Sequence, residues 1–266
     1  MLSLLVKWIV SVLTDPASSS ELRIMALRQL QAPHWRLTVG APDKGLTDAA
    51  AQHGFKLAAL DKLLLAQEEP AVRRELVWLL SEHTSPQRIT LLLEVAHDAR
   101  HGDAIRADAL VGLADRSADV LDDLLAFARG ENDSLRAEAL RALVQTPLSD
   151  DQRTALEQIQ QRRHGSAELT ARVLGKPFTG DRPRPAEIDG WLTRLDGPAD
   201  ADAGRRVFFH PKLANCSRCH RVDGRGQDIG PDLSRIGHTE RRHIVESILQ
   251  PGNLVAPHYQ VWTLAA

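Results

Sequence analysis

Along the first 165 residues the apolar positions recur in a fixed pattern. Leu22–Leu30 (LRIMALRQL), Val72–Leu80 (VRRELVWLL), Ile105–Leu113 (IRADALVGL) and Leu135–Leu143 (LRAEALRAL) each place apolar side chains at i, i+4, i+5 and i+8. That spacing draws one buried stripe along a helix. The last three copies begin at 72, 105 and 135, giving periods of 33 and 30 residues, whereas the first interval is 50. Gln87–Ala99, Ala118–Ala128 and Asp150–Arg162 read as second helices between the copies. Asp103 and Asp133 stand just ahead of two of the first helices, where a carboxylate caps free backbone N–H groups. Helix pairs at a period in the thirties predict an α-solenoid, in which each unit buries its stripe against its neighbours.

With an Arg one step after the first apolar residue and an Ala-Leu pair in mid-helix, the pattern resembles HEAT repeats over about residues 15–165. A solenoid is therefore expected over 1–170. The stretch Gly175–Pro185 (GKPFTGDRPRP) breaks the pattern with three prolines and two glycines and reads as a linker. Within a linker segment 171–199, Pro185–Leu195 is expected as a short helix with Trp191 on its apolar face. At the N-terminus the apolar run Leu2–Leu13 is too short to span a bilayer and contains Lys7. It has neither a basic leader nor a small-x-small cleavage site, so it reads as a core helix.

Composition narrows this little further. Hydrophobic residues are 43% and charged residues 26%, a globular balance, and aromatics are only 4%, which favours helices packed through Ala and Leu. A net charge of −2 gives no electrostatic case for nucleic acid. Eleven histidines are scattered along the chain and are expected mostly on the surface.

The only two cysteines lie in Cys216-Ser217-Arg218-Cys219-His220, a C-x-x-C-H string that is the attachment signature of c-type haem. Two thiols one turn apart add to the vinyl groups, and the histidine next in the chain is placed to ligate the iron. A thioredoxin-like redox pair would need a strand–helix surrounding that the pattern lacks. A structural zinc site would have to gather His210, His238, His243 or His258 from separate places. Before the motif, Asp202–His210 (DAGRRVFFH) reads as an amphipathic helix that turns Val207 and Phe208 or Phe209 toward an apolar partner. After it, Gly224, Gly226 and Gly230 let the backbone turn tightly.

Gly230-Pro231-x-Leu233, with Pro231 eleven residues beyond His220, resembles the loop of class I cytochromes c. The resemblance implies that the Pro231 carbonyl accepts the His220 Nδ1–H and that Leu233 packs on the haem. Taken with Gly204–Phe208, Arg221–Gly224 and Glu246–Pro251, residues 200–262 are similar to the haem-binding domain of Planctomycetes and Verrucomicrobia. That family is often fused to HEAT repeats in large exported, dehydrogenase-like proteins. The expected fold is thus all-α: a HEAT-like α-solenoid over 1–170, then a truncated class I cytochrome c-like helical domain over 200–266. The chain reads as a fragment of a larger membrane-bound or exported protein.

The resemblance also implies one covalent haem c per chain, electron transfer for an attached dehydrogenase domain or another redox partner, and a periplasmic or exported setting. The family's sixth iron ligand is a methionine near the domain's end, and here the only methionines are Met1 and Met25. His238, His243 and His258 are the remaining candidates for the distal position. No Ser/His/Asp arrangement, phosphate loop or metalloprotease helix is present, so the chain is expected to carry electrons without catalysing a reaction by itself. Two alternatives remain: a haem-free scaffold with a protein partner on the solenoid's concave face, or a haem subunit whose open distal site reacts with a small ligand. No nucleic acid and no transmembrane segment are expected.

Overall fold

The computed structural model describes residues 2–31, 69–82, 86–162, 166–177 and 182–253, and these contain twelve α-helices. The first nine are α1 (Leu2–Thr14), α2 (Ser20–Gln31), α3 (Pro70–Ser81), α4 (Gln87–His97), α5 (Gly102–Gly112), α6 (Leu121–Arg129), α7 (Asp133–Leu143), α8 (Asp150–Arg162) and α9 (Ala167–Val173). They form two rows. In the first, α2, α3, α5, α7 and α9 each touch the next; in the second, α1, α4, α6 and α8 cover them from one side.

The repeated pattern explains the rows. The stripe residues Val72, Leu76, Val77 and Leu80, then Ile105, Ala109, Leu110 and Leu113, then Leu135, Ala139, Leu140 and Leu143 are all buried. Ala26 and Leu27 do the same in α2. First-row helices are, however, buried on more than one stripe. In α3, Glu75, Trp78 and Leu79 are also covered, and in α7, Arg136 and Glu138. A single stripe satisfies the second row; the additional burial comes from chain packed on the opposite face. Helix α1 buries Ile9, Val12 and Leu13 and leaves Leu4 and Trp8 exposed. No helix of the described residues is long and apolar enough to cross a membrane.

The caps differ from the sequence expectation, by one residue at α7 and by two at α5, where His101 holds the cap position. Asn132, in extended conformation, caps α7 by accepting the Leu135 N–H at 3.0 Å, so Asp133 lies within the first turn. Asp103 likewise lies inside α5, where it takes Arg106 Nη1 at 3.0 Å and Asn132 Nδ2 at 2.6 Å. A first-turn carboxylate favours the helix dipole without occupying the cap position. Two of the second helices differ from the expected bounds, α4 ending at His97 and α6 beginning at Leu121, whereas α8 spans Asp150–Arg162 as expected.

After α9 come α10 (Ile188–Arg194), α11 (Ala201–Phe209), a hairpin of β1 (Arg221–Val222) and β2 (Arg225–Gly226), and α12 (Arg241–Leu249). The short helix expected in the linker exists and packs on α12, with Gln250 Nε2 donating to the Pro185 carbonyl at 3.2 Å. The hairpin is a small departure from an all-helical chain, and its turn, Asp223-Gly224, carries the signal for it. Both residues have positive φ (51° and 82°), as a two-residue turn between twisted strands requires.

The cap assignment predicts that Asn132→Ala lowers stability by about 1 kcal/mol. Asp133→Ala, at an exposed first-turn position, changes it by less than about 0.5 kcal/mol. Urea unfolding of both variants checks the contrast, and the reverse order would place the cap at Asp133.

Candidate functional site

The C-x-x-C-H string forms one tight turn. Asn215 adopts a left-handed conformation and opens a 3₁₀ turn over Cys216–Arg218. The Cys219 N–H donates to the Cys216 carbonyl at 3.1 Å, and the His220 N–H donates to the same oxygen at 2.9 Å. Both cysteines are free thiols, Cys216 half-buried and Cys219 exposed. Burial pushes the Cys216 thiol up from its ordinary value.

Backbone contacts hold the hairpin and the Pro231 loop against this turn. The Gln227 N–H donates to Ser217 O at 3.0 Å, Gly230 N–H to Cys219 O at 2.6 Å, and Leu233 N–H to Arg221 O at 2.8 Å. A Cβ at Gly226 would run into the His220 carbonyl oxygen, so β2 lies directly against the histidine's backbone. The His220 ring is fixed from two sides. Its Nδ1 lies 2.9 Å from the Pro231 carbonyl, and a Cβ at Gly230 would stand 2.6 Å from Cε1. A carbonyl only accepts, so Nδ1 is the donor in this contact, and Nε2 is the ring nitrogen left for a ligand.

Leu233 is half-buried beside this loop. His238 ends the 3₁₀ turn Ile236–His238 and His243 lies in α12; both are exposed. His258 lies outside the described residues. Among the described residues no group of three or more His, Cys, Asp or Glu side chains is gathered to hold a metal ion, so the zinc alternative finds no ligand set there. His210 departs from the surface expectation: it is fully buried, and its Nδ1 accepts the Lys212 N–H at 3.1 Å.

Among the described residues from 201 to 253, four side chains are buried: Arg206, His210, Arg225 and Val245. One apolar side chain is no core. Ile229 and Ile248 are 68% and 72% exposed, and Ile236 39%. A segment of this size needs a further source of apolar burial. A porphyrin is a large apolar plate, and the free thiols, the oriented imidazole and the uncovered isoleucines fit one.

The buried arginines meet the helical rows. Each first-row motif from α3 to α7 carries an acid at its fourth place, Glu75, Asp108 or Glu138, and all three are buried. Glu75 takes Arg225 Nη2 at 2.8 Å and Arg28 Nη2 at 3.0 Å, with Arg205 at 3.6 Å. Asp108 takes Arg74 Nε at 2.9 Å, with Arg206 at 3.5 Å. Glu138 takes Arg206 Nε at 2.7 Å and Arg141 Nη1 at 2.5 Å. Arg225 also stacks on Trp78 and Phe209, at 4.9 and 5.4 Å from the ring centroids. Farther along, Lys212 Nζ donates to Ser117 Oγ at 2.7 Å and to the Ala142 carbonyl at 3.0 Å. The apolar partner expected for the 201–209 helix is thus Trp78, whose ring lies 5.4 Å from that of Phe209.

Sequence reasoning misses the arginine contacts, although a signal for them exists. An acid three residues after the first stripe position recurs with the repeat, on the same face of each first-row helix but off the stripe itself. A cleft of about 570 Å³ opens between α3, α5 and the back of the turn, lined by Glu82, Asp115, Phe209, Arg218 and Gln227. Cys216, Cys219 and His220 are not among its lining residues.

The family model described as Cytochrome c matches residues 201–258. No curated protein and no solved structure matches the chain. The match covers α11, the C-x-x-C-H turn, the hairpin, the Pro231 loop and α12. Haem c is the cofactor of this cytochrome c segment, and its general chemistry is haem-based electron transfer with a redox partner.

Two buried groups at the contact titrate in opposite senses. Burial raises Asp108 to about 6, against the pull of Arg74 and Arg206. Burial, helped by Arg141, Lys212 and Arg172, lowers His210 to about 4. Between about pH 4 and 6 the folded state holds a proton on Asp108 that the unfolded chain has lost, so this stabilisation fades as pH rises through about 6. For His210 the unfolded chain holds the extra proton between about pH 4 and 6.5, so its contribution grows as pH rises. Relative to wild type, Asp108→Asn therefore gains stability from pH 4 to 6 and His210→Phe loses it. Urea midpoints at three or four pH values read the two slopes, and a reversed sign at either residue refutes its assignment.

Proposed function

We propose that this chain carries electrons through one haem held covalently by Cys216 and Cys219, with His220 as the proximal iron ligand, in the service of an associated oxidoreductase. One observation carries the reading: inside the cytochrome c match, Pro231 accepts the Nδ1–H of the histidine that closes the C-x-x-C-H turn. Bound haem supplies a one-electron iron couple there. The chain's own residues do the rest. The turn sets the two thiols, Gly230 and Pro231 hold the imidazole, and Leu233, Ile236 and Ile248 offer apolar cover.

The cytochrome-like unit is placed at 200–266, with the short helix of the 171–199 segment packed against it. Residues 1–170 are read as a HEAT-like solenoid that carries this unit. The three acids at equivalent motif positions support that reading, because stacked units would present them side by side. Cytochrome c segments typically work outside the cytoplasm, so a periplasmic or exported setting goes with the proposal. His238, His243 and His258 stay as the distal candidates, and a histidine in place of methionine at that position lowers the potential. A free scaffold is disfavoured, because the buried acids of the first row already hold arginines of the same chain.

Expression in a host with c-type maturation machinery tests this directly. The wild-type chain is expected to show a sharp α band on reduction and to retain haem after denaturation. The Cys216→Ser/Cys219→Ser variant is expected to lose covalent retention altogether. A wild-type chain without haem, or a double variant that still retains it covalently, overturns the proposal. Carbon monoxide binding by the reduced protein would assign an open distal site, and indifference a sixth ligand.

A further inference from the structure

We propose that Glu75, on the helical rows, is a positioning residue for His220: it anchors through Arg225 and Arg205 the hairpin that carries the imidazole. The inference rests on the reading of His220 as the iron ligand. It starts from how Glu75 is used. The carboxylate is 3% exposed, and besides Arg28 its partners come from the cytochrome c segment. Oε2 accepts from Arg225 Nη2 at 2.8 Å, which grips β2. Arg205 lies 3.6 Å from Oε1 and 3.7 Å from Asp223 in the hairpin turn. One carboxylate therefore reaches both the strand and the turn.

From the hairpin the path to the imidazole is short. Val222 pairs with Arg225 and Arg221 with Gly226, and Arg221 directly follows His220. Gly226 lies against the His220 carbonyl with no room for a side chain. The Arg221 carbonyl accepts the Leu233 N–H at 2.8 Å, which fixes the loop whose Pro231 carbonyl takes the ring proton. A shift of Arg225 thus displaces the backbone of His220 and, through Arg221, the acceptor of its Nδ1–H.

Glu138 offers an internal comparison. It is as buried as Glu75 and holds Arg206 at 2.7 Å, so it docks the same segment. Arg206, however, lies in α11, ahead of the haem-attachment turn, and its carboxylate contacts are to Asp108 and Glu138. Losing Glu138 weakens the docking but leaves the supports of His220 in place.

The experiment sets Glu75→Gln beside Glu138→Gln in the full chain. In haem-free protein, hydrogen exchange at the Gln227, Gly230 and Leu233 amides is expected to speed up at least about tenfold in Glu75→Gln and to stay near wild type in Glu138→Gln. Both variants are expected to melt lower. In haem-loaded protein, only Glu75→Gln is expected to shift the His220 ring resonances and the midpoint potential, with Glu75→Asp partly restoring them. Equal exchange in the two variants, or a Glu75→Gln protein that melts lower with unchanged exchange and potential, overturns the positioning role. If Glu75→Gln does not fold, Glu75→Gln/Arg225→Gln removes the buried arginine together with its Glu75 partner and is expected to show the same exchange and potential shifts. A wild-type chain that takes up no covalent haem sinks the reading of His220 instead, while the haem-free exchange still decides whether Glu75 holds the hairpin.

Discussion

The row of buried acids on the first helices is the constraint on which the remaining arrangement depends. Glu75, Asp108 and Glu138 come from successive first-row helices and face Arg205, Arg206 and Arg225 of the cytochrome c segment. Such pairs contribute little net stability over apolar packing, because desolvation opposes the attraction. Breaking one is different: an orphaned charge in the interior costs about 3–5 kcal/mol. The row therefore acts mainly as a selector of pose. Arg206 has to fall between Asp108 and Glu138 while Arg225 reaches Glu75 and slots against Trp78, and a displaced docking would leave several charges unmatched.

That selection matters because the cytochrome c segment has so little of its own to hold it. It buries Val245 and three polar side chains, and the three polar ones lie toward the helical rows. Two outside supports compensate. The rows fix one face through charges and through Lys212, and haem c, as the segment's cofactor, would supply the apolar contact that the segment lacks. Between these supports lie a 3₁₀ turn, a hairpin of two-residue strands and a glycine–proline loop. Such short pieces keep their geometry only when they are tied to something larger.

Legibility in the sequence follows the range of the interactions. The repeated helices, their stripe residues and the C-x-x-C-H turn depend on neighbours within a turn or two, and their spacing announces them, whereas α9 follows no such pattern. The Asp223-Gly224 hairpin is equally local, yet its glycines suggest only a tightly turning stretch. The cap at α7 is expected one residue late, because Asn132 and Asp133 are both cap formers and only the backbone decides between them. His210 reads as one scattered histidine among many, since nothing near it in sequence shows that it is fully covered.

By itself the sequence determined the helical periods, the C-x-x-C-H turn and the glycine and proline that let a loop meet the imidazole. These are encoded by residue types at fixed short separations. Only the tertiary structure decided that the recurring acids face inward to arginines 68 to 150 residues away, and that the hairpin behind His220 is held from α3. Charge pairing has no period and little dependence on sequence distance. An acid on a helix reads as solvated until the fold shows which face is covered and by what.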